Sequence, residues 1–199
     1  METVKPNKTQ IIEMNKGMIP PSVIDIEESA LGAALNDKQG IDEMMMIIKT
    51  GECFYKEQNK YVFDAMHSVF NDGEPIDLIT VSQRLKRFGK FELAGGDYYL
   101  IQLMQKASSA AHMEYWCRII LQKYIAREII RFNYATTALA YDESVDIFEL
   151  MGKLQQQFDE IANITVTGRK SKSFKENLSE LSKKIEFLST QTENDKCLS

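Results

Sequence analysis

PIDLITVSQRLKRFGKFELAGGDYYLIQL, residues 75–103, is the stretch that decides how this chain folds. Asp77 stands where a short acceptor side chain can take the free N–H groups of a first helical turn. Ile79, Val81, Leu85 and Phe88 follow near helical spacing, so a helix is expected from Asp77 onward. Gly89 is placed to end it, since glycine enters the left-handed region without a Cβ penalty. Gly95 and Gly96 then reset the backbone before a second helix through Tyr98 to Met104. Short helices joined by glycine turns are the local signature of an all-α head.

The same pattern extends toward the N-terminus. Ser22 with Asp25 reads as a capping box for a helix carrying Ile26, Ala30, Ala33 and Ala34. Gly32 inside that helix costs about 1 kcal/mol in propensity relative to alanine, so close packing against another helix is its expected reason. Met44, Ile47 and Ile48 belong to the next helix, where adjacent methionines fill core rather than form a docking surface. After Phe54 and Tyr55, a third helix places Tyr61, Val62, Ala65, Met66, Val69 and Phe70 on a broad apolar face, and Asp72-Gly73 closes it. A compact head over residues 20–107 follows, preceded by a polar tail, 1–19, whose apolar residues include Ile11, Ile12 and Met14.

Beyond the head the signal changes. Residues 112–141 contain no glycine or proline, and thirty helical residues reach roughly 45 Å, longer than a small head can cover. Asp142-Glu143-Ser144 turns the chain. Asp146 with Glu149 then caps a helix whose Ile147, Met151, Leu154, Phe158 and Ile161 step by four and three, the spacing of a packed seam. An antiparallel helical hairpin over residues 108–163 is expected. Its apolar residues occupy more than one face, so self-association is expected to cover the remainder, with Trp116, Ile120, Ile129, Phe132, Leu154 and Phe158 as candidate contacts. Residues 164–199 read as a linker: a basic run from Arg169 to Lys172, then Ser173 and Glu176 capping an amphipathic helix over 173–190. Its narrow stripe, Phe174, Leu178, Leu181, Ile185 and Leu188, requires a groove to dock in, on a partner or on its own head.

Composition removes several classes of function. Apolar residues make up 44% of 199, and 24 basic against 29 acidic residues leave a formal net charge of −5, which argues against duplex binding as the main role. Three scattered cysteines without a CxxC pair fit a reducing compartment, with Cys53 and Cys117 as buried small groups. No stretch has the apolar length of a signal peptide or a membrane span, so a cytoplasmic protein is expected. A GxxxxGK[ST] phosphate loop is absent; Gly89-Lys90 and Gly152-Lys153 lack its other residues. His67 and His112 are far apart, with no metal-ligand spacing and no nucleophile partner. Glu27-Glu28 and Asp42-Glu43 are expected near helix starts, complementing the macrodipole. The basic cluster of Arg169, Lys170, Lys172 and Lys175 lacks an aromatic platform and reads as solvated linker.

Taken in order, these segments resemble the N-terminal domain of the DnaB-type replicative helicases, where a P-(I/V)-D-(L/I)-x-T-V opening, a charged helix and a G-G-x-x-Y-L close recur. The likeness begins at Pro20-Pro21 and Glu27-Glu28-Ser29-Ala30-Leu31-Gly32, passes Cys53-Phe54-Tyr55 and Ser109-Ala110-Ala111, and continues into Ala162. It departs at Asn59, where relatives often carry His, and at His112, where they often carry Asn, so neither position is diagnostic. The resemblance implies a collar in which heads and hairpins pair into a trimer of dimers above a ring of ATPase domains. It implies a homo-oligomer between dimer and hexamer, docking of a DnaG-type primase, contact with a helicase loader, and a linker helix seated on the neighbouring subunit. ATP and magnesium would belong to the ATPase domain, and DNA would be met only through the full-length ring, in the bacterial cytoplasm beside the nucleoid. No catalytic, cofactor or metal residue is then expected in this chain, which looks like the excised or truncated front half of such a helicase. Two other readings stay open, the helicase-binding domain of a primase, built from a similar head and hairpin, and a stand-alone loader or regulator; PIDLITV and GGDYYL favour the helicase side.

Overall fold

A computed structural model describes residues 19–106 and 109–167. Among them are seven α-helices and no strand: α1 (Ile24–Asn36), α2 (Lys38–Ile47), α3 (Glu57–Asn71), α4 (Leu78–Arg87), α5 (Gly96–Lys106), α6 (Met113–Ala140) and α7 (Ile147–Thr167). A 3₁₀ turn, Gly51–Cys53, precedes α3. The tail over 1–18, the basic run and the linker helix over 173–190 with its Phe174-to-Leu188 stripe lie outside the described residues.

Local signals account for several helix ends. Asp77 accepts from the Ile79 and Thr80 amides at 2.9 Å each, and Thr80 answers with its hydroxyl at the Asp77 amide, completing a capping box. The exit of α4 is a Schellman turn: Gly89 has φ +64°, its amide donates to Lys86, and the Lys90 amide donates to Leu85. Gly73, at φ +71°, closes α3 in the same way. The expected Ser22–Asp25 box does not form. α1 starts one residue later, with Val23 at the cap and no side-chain bond, because the Val23 carbonyl itself takes the Ile26 and Glu27 amides at 3.0 Å.

The core forms where α1 to α5 meet the first half of α6, around Leu31, Met44, Phe63, Met66, Leu85, Leu100 and Ile120. In α4 the buried face is Val81, Ser82 and Leu85 with Leu78 half-buried, positions three and four apart. Ile79, expected on that face, is exposed because it falls off this spacing; Phe88 keeps the spacing but stands at the C-cap, beyond the last helical residue, and is exposed there. Met44 and Met45 are buried and Met46 is exposed, so the methionines do fill core. The expectation for Gly32 also holds: a Cβ there would stand 1.8 Å from the Leu103 carbonyl oxygen of α5.

α6 runs unbroken for 28 residues. Met113, Cys117, Ile120 and Leu121 bury it against the head, and residues beyond Arg127 meet α7 running back antiparallel. Asp146 caps α7 by accepting from the Phe148 amide at 2.7 Å. The seam between the arms differs from expectation. Leu150 is buried, Leu154, Ile161 and Ile164 are half-buried, and Ile147, Met151 and Phe158 are exposed. α7 therefore carries two apolar stripes, separated by roughly 80° around its axis at 100° per residue. The first faces α6 and the second faces outward.

Candidate functional site

Two polar clusters join the head to itself and to the hairpin. In the first, Glu27 of α1 is fully buried and accepts from the Tyr55 amide at 2.8 Å, the Lys56 amide at 3.3 Å and Asn59 Nδ2 at 2.9 Å. Those donors lie at the N-terminus of α3, whose own cap residue, Lys56, makes no side-chain cap bond. Glu27 lies in the first turn of its own helix, as expected, and in addition caps a helix other than its own. A carboxylate is favoured there by free N–H groups and by the positive end of the dipole. Asp42 and Glu43 depart from expectation: they sit in the middle of α2, where Glu43 accepts from Gln39 one turn back at 3.1 Å.

Asn59 is buried and accepts from the Tyr99 hydroxyl, so the position that departs from the family pattern holds α1, α3 and α5 together. Burial, and then the Glu28 charge, push the Tyr99 phenol above its ordinary pKa and keep it a donor. Glu28 pairs with Lys56 at 2.7 Å and with Lys106, which also reaches Asp25 at 2.9 Å. Burial raises the Glu28 pKa, but hydrogen bonds from Lys106 and Lys56 outweigh it and hold the carboxyl below its ordinary value.

The second cluster is centred on Arg127 of α6, which is 9% exposed. Its guanidinium donates to the Pro21 carbonyl at 3.0 Å and the Cys53 carbonyl at 2.7 Å. The Tyr55 and Tyr124 rings lie 5.6 and 5.8 Å away. Planar geometry and weak hydration suit Arg to this buried role. It ties the midpoint of the long helix to the segment before α1 and to the 3₁₀ turn, and so sets how the hairpin leaves the head.

Of the six candidate self-association residues, Ile120 is 0% exposed and belongs to the head core, so it is withdrawn from that surface. It lies on the same face as Met113 and Cys117, which α6 presents to the head. Trp116 is half-buried against the core. Phe132 and Leu154 line the groove between α6 and α7 with Leu139, Leu150 and Ile161. Ile129 and Phe158 are exposed, at 42% and 65%. Ile147, Phe148 and Met151 share the outer side of α7 with Phe158 and were not among the candidates. Ile147 and Met151 read as part of the inner seam in the sequence, and Phe148 falls outside that series.

Nothing in these clusters supplies a nucleophile. Burial pushes the Cys53 and Cys117 thiols up to about 12, which keeps them neutral near pH 7. His112 is the cap residue of α6 against Trp116, and His67 is half-buried on α3 against Phe63. Among the described residues no group of three His, Cys, Asp or Glu could hold a metal ion, and no helix is long and apolar enough to cross a membrane.

Comparison with known proteins gives concordant matches. The family model described as "DnaB-like helicase N terminal domain" matches residues 19–122, just over half of the chain. The replicative DNA helicase DnaB of Rhodothermus marinus is 31% identical over 153 residues, 77% of this chain and 16% of that protein. That of Geobacillus stearothermophilus is 31% identical over 150 residues, 75% of this chain and 33% of that protein. This chain therefore spans between a sixth and a third of the length of these two curated relatives. The crystal structure of the N-terminal domain of DnaB helicase from Mycobacterium tuberculosis superposes with a TM-score of 0.66 at 27% identity, covering 71% of this chain and 99% of that one.

Proposed function

Because the chain belongs to the DnaB-like helicase N-terminal domain family, we propose that it forms the collar of a replicative DNA helicase, assembling through its hairpin and receiving a DnaG-type primase. The observation that supports this reading is the outer stripe of α7, where Ile147, Phe148, Met151 and Phe158 are each more than half exposed. An isolated hairpin has no reason to keep four large apolar side chains in water, whereas a second copy would bury them. Ile129 is a further exposed apolar side chain, on α6. Pairing of hairpins would give dimers, and weaker contacts between heads would close dimers into a trimer of dimers.

Under this reading, the chain's chemistry is assembly and docking. Its residues do not fit a nucleotide: the sequence holds no phosphate-binding loop, so ATP and magnesium belong to an ATPase domain of the full-length helicase. Arg127 and the Glu27 cluster serve by fixing the direction in which the hairpin projects. The linker stripe, Phe174 to Leu188, would dock on that ATPase domain in a neighbouring subunit.

Light scattering after size exclusion, across a concentration series, tests the assembly. Dimers growing toward hexamers are expected, and Phe158→Asp with Met151→Asp should return the chain to monomer without lowering its melting temperature. A wild-type monomer at high micromolar concentration would overturn the collar in favour of a stand-alone adaptor. Calorimetric titration with the C-terminal domain of a DnaG-type primase tests the docking, and absence of heat with a cognate primase would remove that role.

A further inference from the structure

The two arms of the hairpin leave a groove of about 360 Å³ between them. Phe132, Ala135 and Leu139 line it from α6, and Leu150, Leu154 and Ile161 line it from α7. Leu150 is buried, and Phe132, Ala135 and Leu154 are half-buried, so the walls are apolar along most of their length. From Phe132 to Leu139 the groove runs about 10 Å, at roughly 1.5 Å of rise per residue.

At the end nearer the head stands Arg131. It donates from Nη1 to Glu128 Oε1 at 2.6 Å, whereas its Nε is buried and has no hydrogen-bond partner among the described residues. A buried donor without an acceptor is costly, and more so on a charged group. The neighbouring groups do not relieve it. Glu128 holds Nη1, Glu160 lines the groove from α7 but is exposed, and Lys153 is a cation already paired with Glu149 at 2.7 Å. The edge of a guanidinium that carries Nε is one that a carboxylate grips through two parallel hydrogen bonds.

We propose that this groove binds a monocarboxylic acid with an apolar body, a medium-chain fatty acid, with its carboxylate on Arg131 and its chain along Phe132, Leu139, Leu150 and Leu154. Apolar walls with one placed polar group, in a volume of this size, are the ordinary make-up of a small-ligand site. Arg131 and Lys153 against Glu128 and Glu160 leave the lining neutral, which disfavours a polyanion and fits a single carboxylate. Apolar side chains of a second copy would cover the walls but leave Nε without an acceptor. The outer stripe of α7 lies on a separate face of that helix, so the site does not depend on collar assembly.

Calorimetric titration of the 199-residue chain with decanoate, kept below its micelle concentration, tests the proposal. Saturable binding at one site per chain is expected. Arg131→Gln should weaken it about tenfold, the scale of a hydrogen bond to a charged group, and Arg131→Lys should not restore it, because an ammonium lacks the paired donors. Ala135→Phe, which fills the groove from its α6 wall, should abolish binding, and unchanged circular dichroism and melting temperature would show that the variants are folded. 1-Decanol should bind about tenfold more weakly than decanoate. No saturable heat below about 1 mM, equal affinity for the alcohol, or an unaltered affinity in Arg131→Gln would each overturn the proposal. Binding to phosphatidylglycerol vesicles without binding to free decanoate would overturn it in favour of a lipid surface. Molar mass measured on the same samples gives the last outcome: decanoate bound at unchanged mass supports a free groove, and decanoate bound only as dimers split would make the groove an interface between copies.

Discussion

Gly32→Ala sets two effects of opposite sign against each other. Helix propensity favours alanine over glycine inside α1 by about 1 kcal/mol. Packing opposes it: the new Cβ would lie 1.8 Å from the Leu103 carbonyl oxygen and 2.7 Å from its carbonyl carbon. Ordinary carbon–oxygen contacts begin near about 3.3 Å, so α1 and α5 would have to part by about 1.5 Å. The obstacle is backbone, not the end of a flexible side chain, and no rotamer change relieves it. A radial gap of about 0.5–1 Å already forfeits a quarter to a half of each dispersion well. The buried Leu31, Leu35, Leu100 and Leu103 lie on the two helices that would separate. Overpacking costs about 1–3 kcal/mol in well-packed cores, and a backbone obstacle belongs at the upper end. Subtracting the propensity gain leaves a loss of about 2 kcal/mol, or about 4–8 °C in melting temperature for a chain of this size. Gly152→Ala is the matched control. Gly152 is exposed within α7 with nothing within 4 Å of its added Cβ, so propensity acts alone and stability should rise by about 0.5–1 kcal/mol. Urea denaturation at one protein concentration, followed by far-UV circular dichroism, reads both midpoints. A midpoint for Gly32→Ala at or above wild type would refute the close approach of α1 to α5.

Other perturbations test the polar clusters. Arg127→Met leaves the Pro21 and Cys53 carbonyls without their donor, each at about 1–3 kcal/mol, so a loss of about 3 kcal/mol is expected in the same assay. A loss below about 1 kcal/mol would mean that water replaces the guanidinium. Glu28 has a folded pKa depressed below its unfolded value, so its contribution is present above the ordinary glutamate range and is lost as pH falls through the folded value. The stability gap between wild type and Lys106→Met should therefore narrow as pH drops below about 4.3, and a gap constant down to pH 3 would exclude the pairing. Burial that lifts Cys53 and Cys117 to about 12 predicts that neither reacts with a thiol reagent at neutral pH until the chain unfolds. Mass-spectrometric mapping of labelled cysteines checks this, and labelling at either position in the native state would contradict it.

Signals closed within a few residues were readable in the chain itself. The Asp77–Thr80 box and the glycine exits at Gly73 and Gly89 are bonds between groups at most five residues apart. The uninterrupted α6 needs only the absence of glycine and proline. Gly32 announced a close approach because glycine in a helix interior has a propensity cost that packing can offset, although the sequence did not name Leu103. The ordered PIDLITV and GGDYYL segments carried the family.

What only tertiary structure decided were the pairings between distant residues and the choice among equivalent faces. Glu27 looked like its neighbours in a first turn, and its task appeared when the start of α3, 28 to 32 residues later, was brought against it. Lys123, Arg127 and Arg131 follow one another every four residues, yet Arg127 is the one at the level of the Pro21 and Cys53 carbonyls. On α7, two apolar stripes satisfied the same helical periodicity, and packing on α6 selected Leu150 and left Phe158 in solvent. Ile120 was as apolar as Ile129, and its distance from the start of α6 placed it inside the head. Periodicity along one helix specifies its own faces; which face meets which neighbour depends on the relative placement of helices, information that no single segment contains.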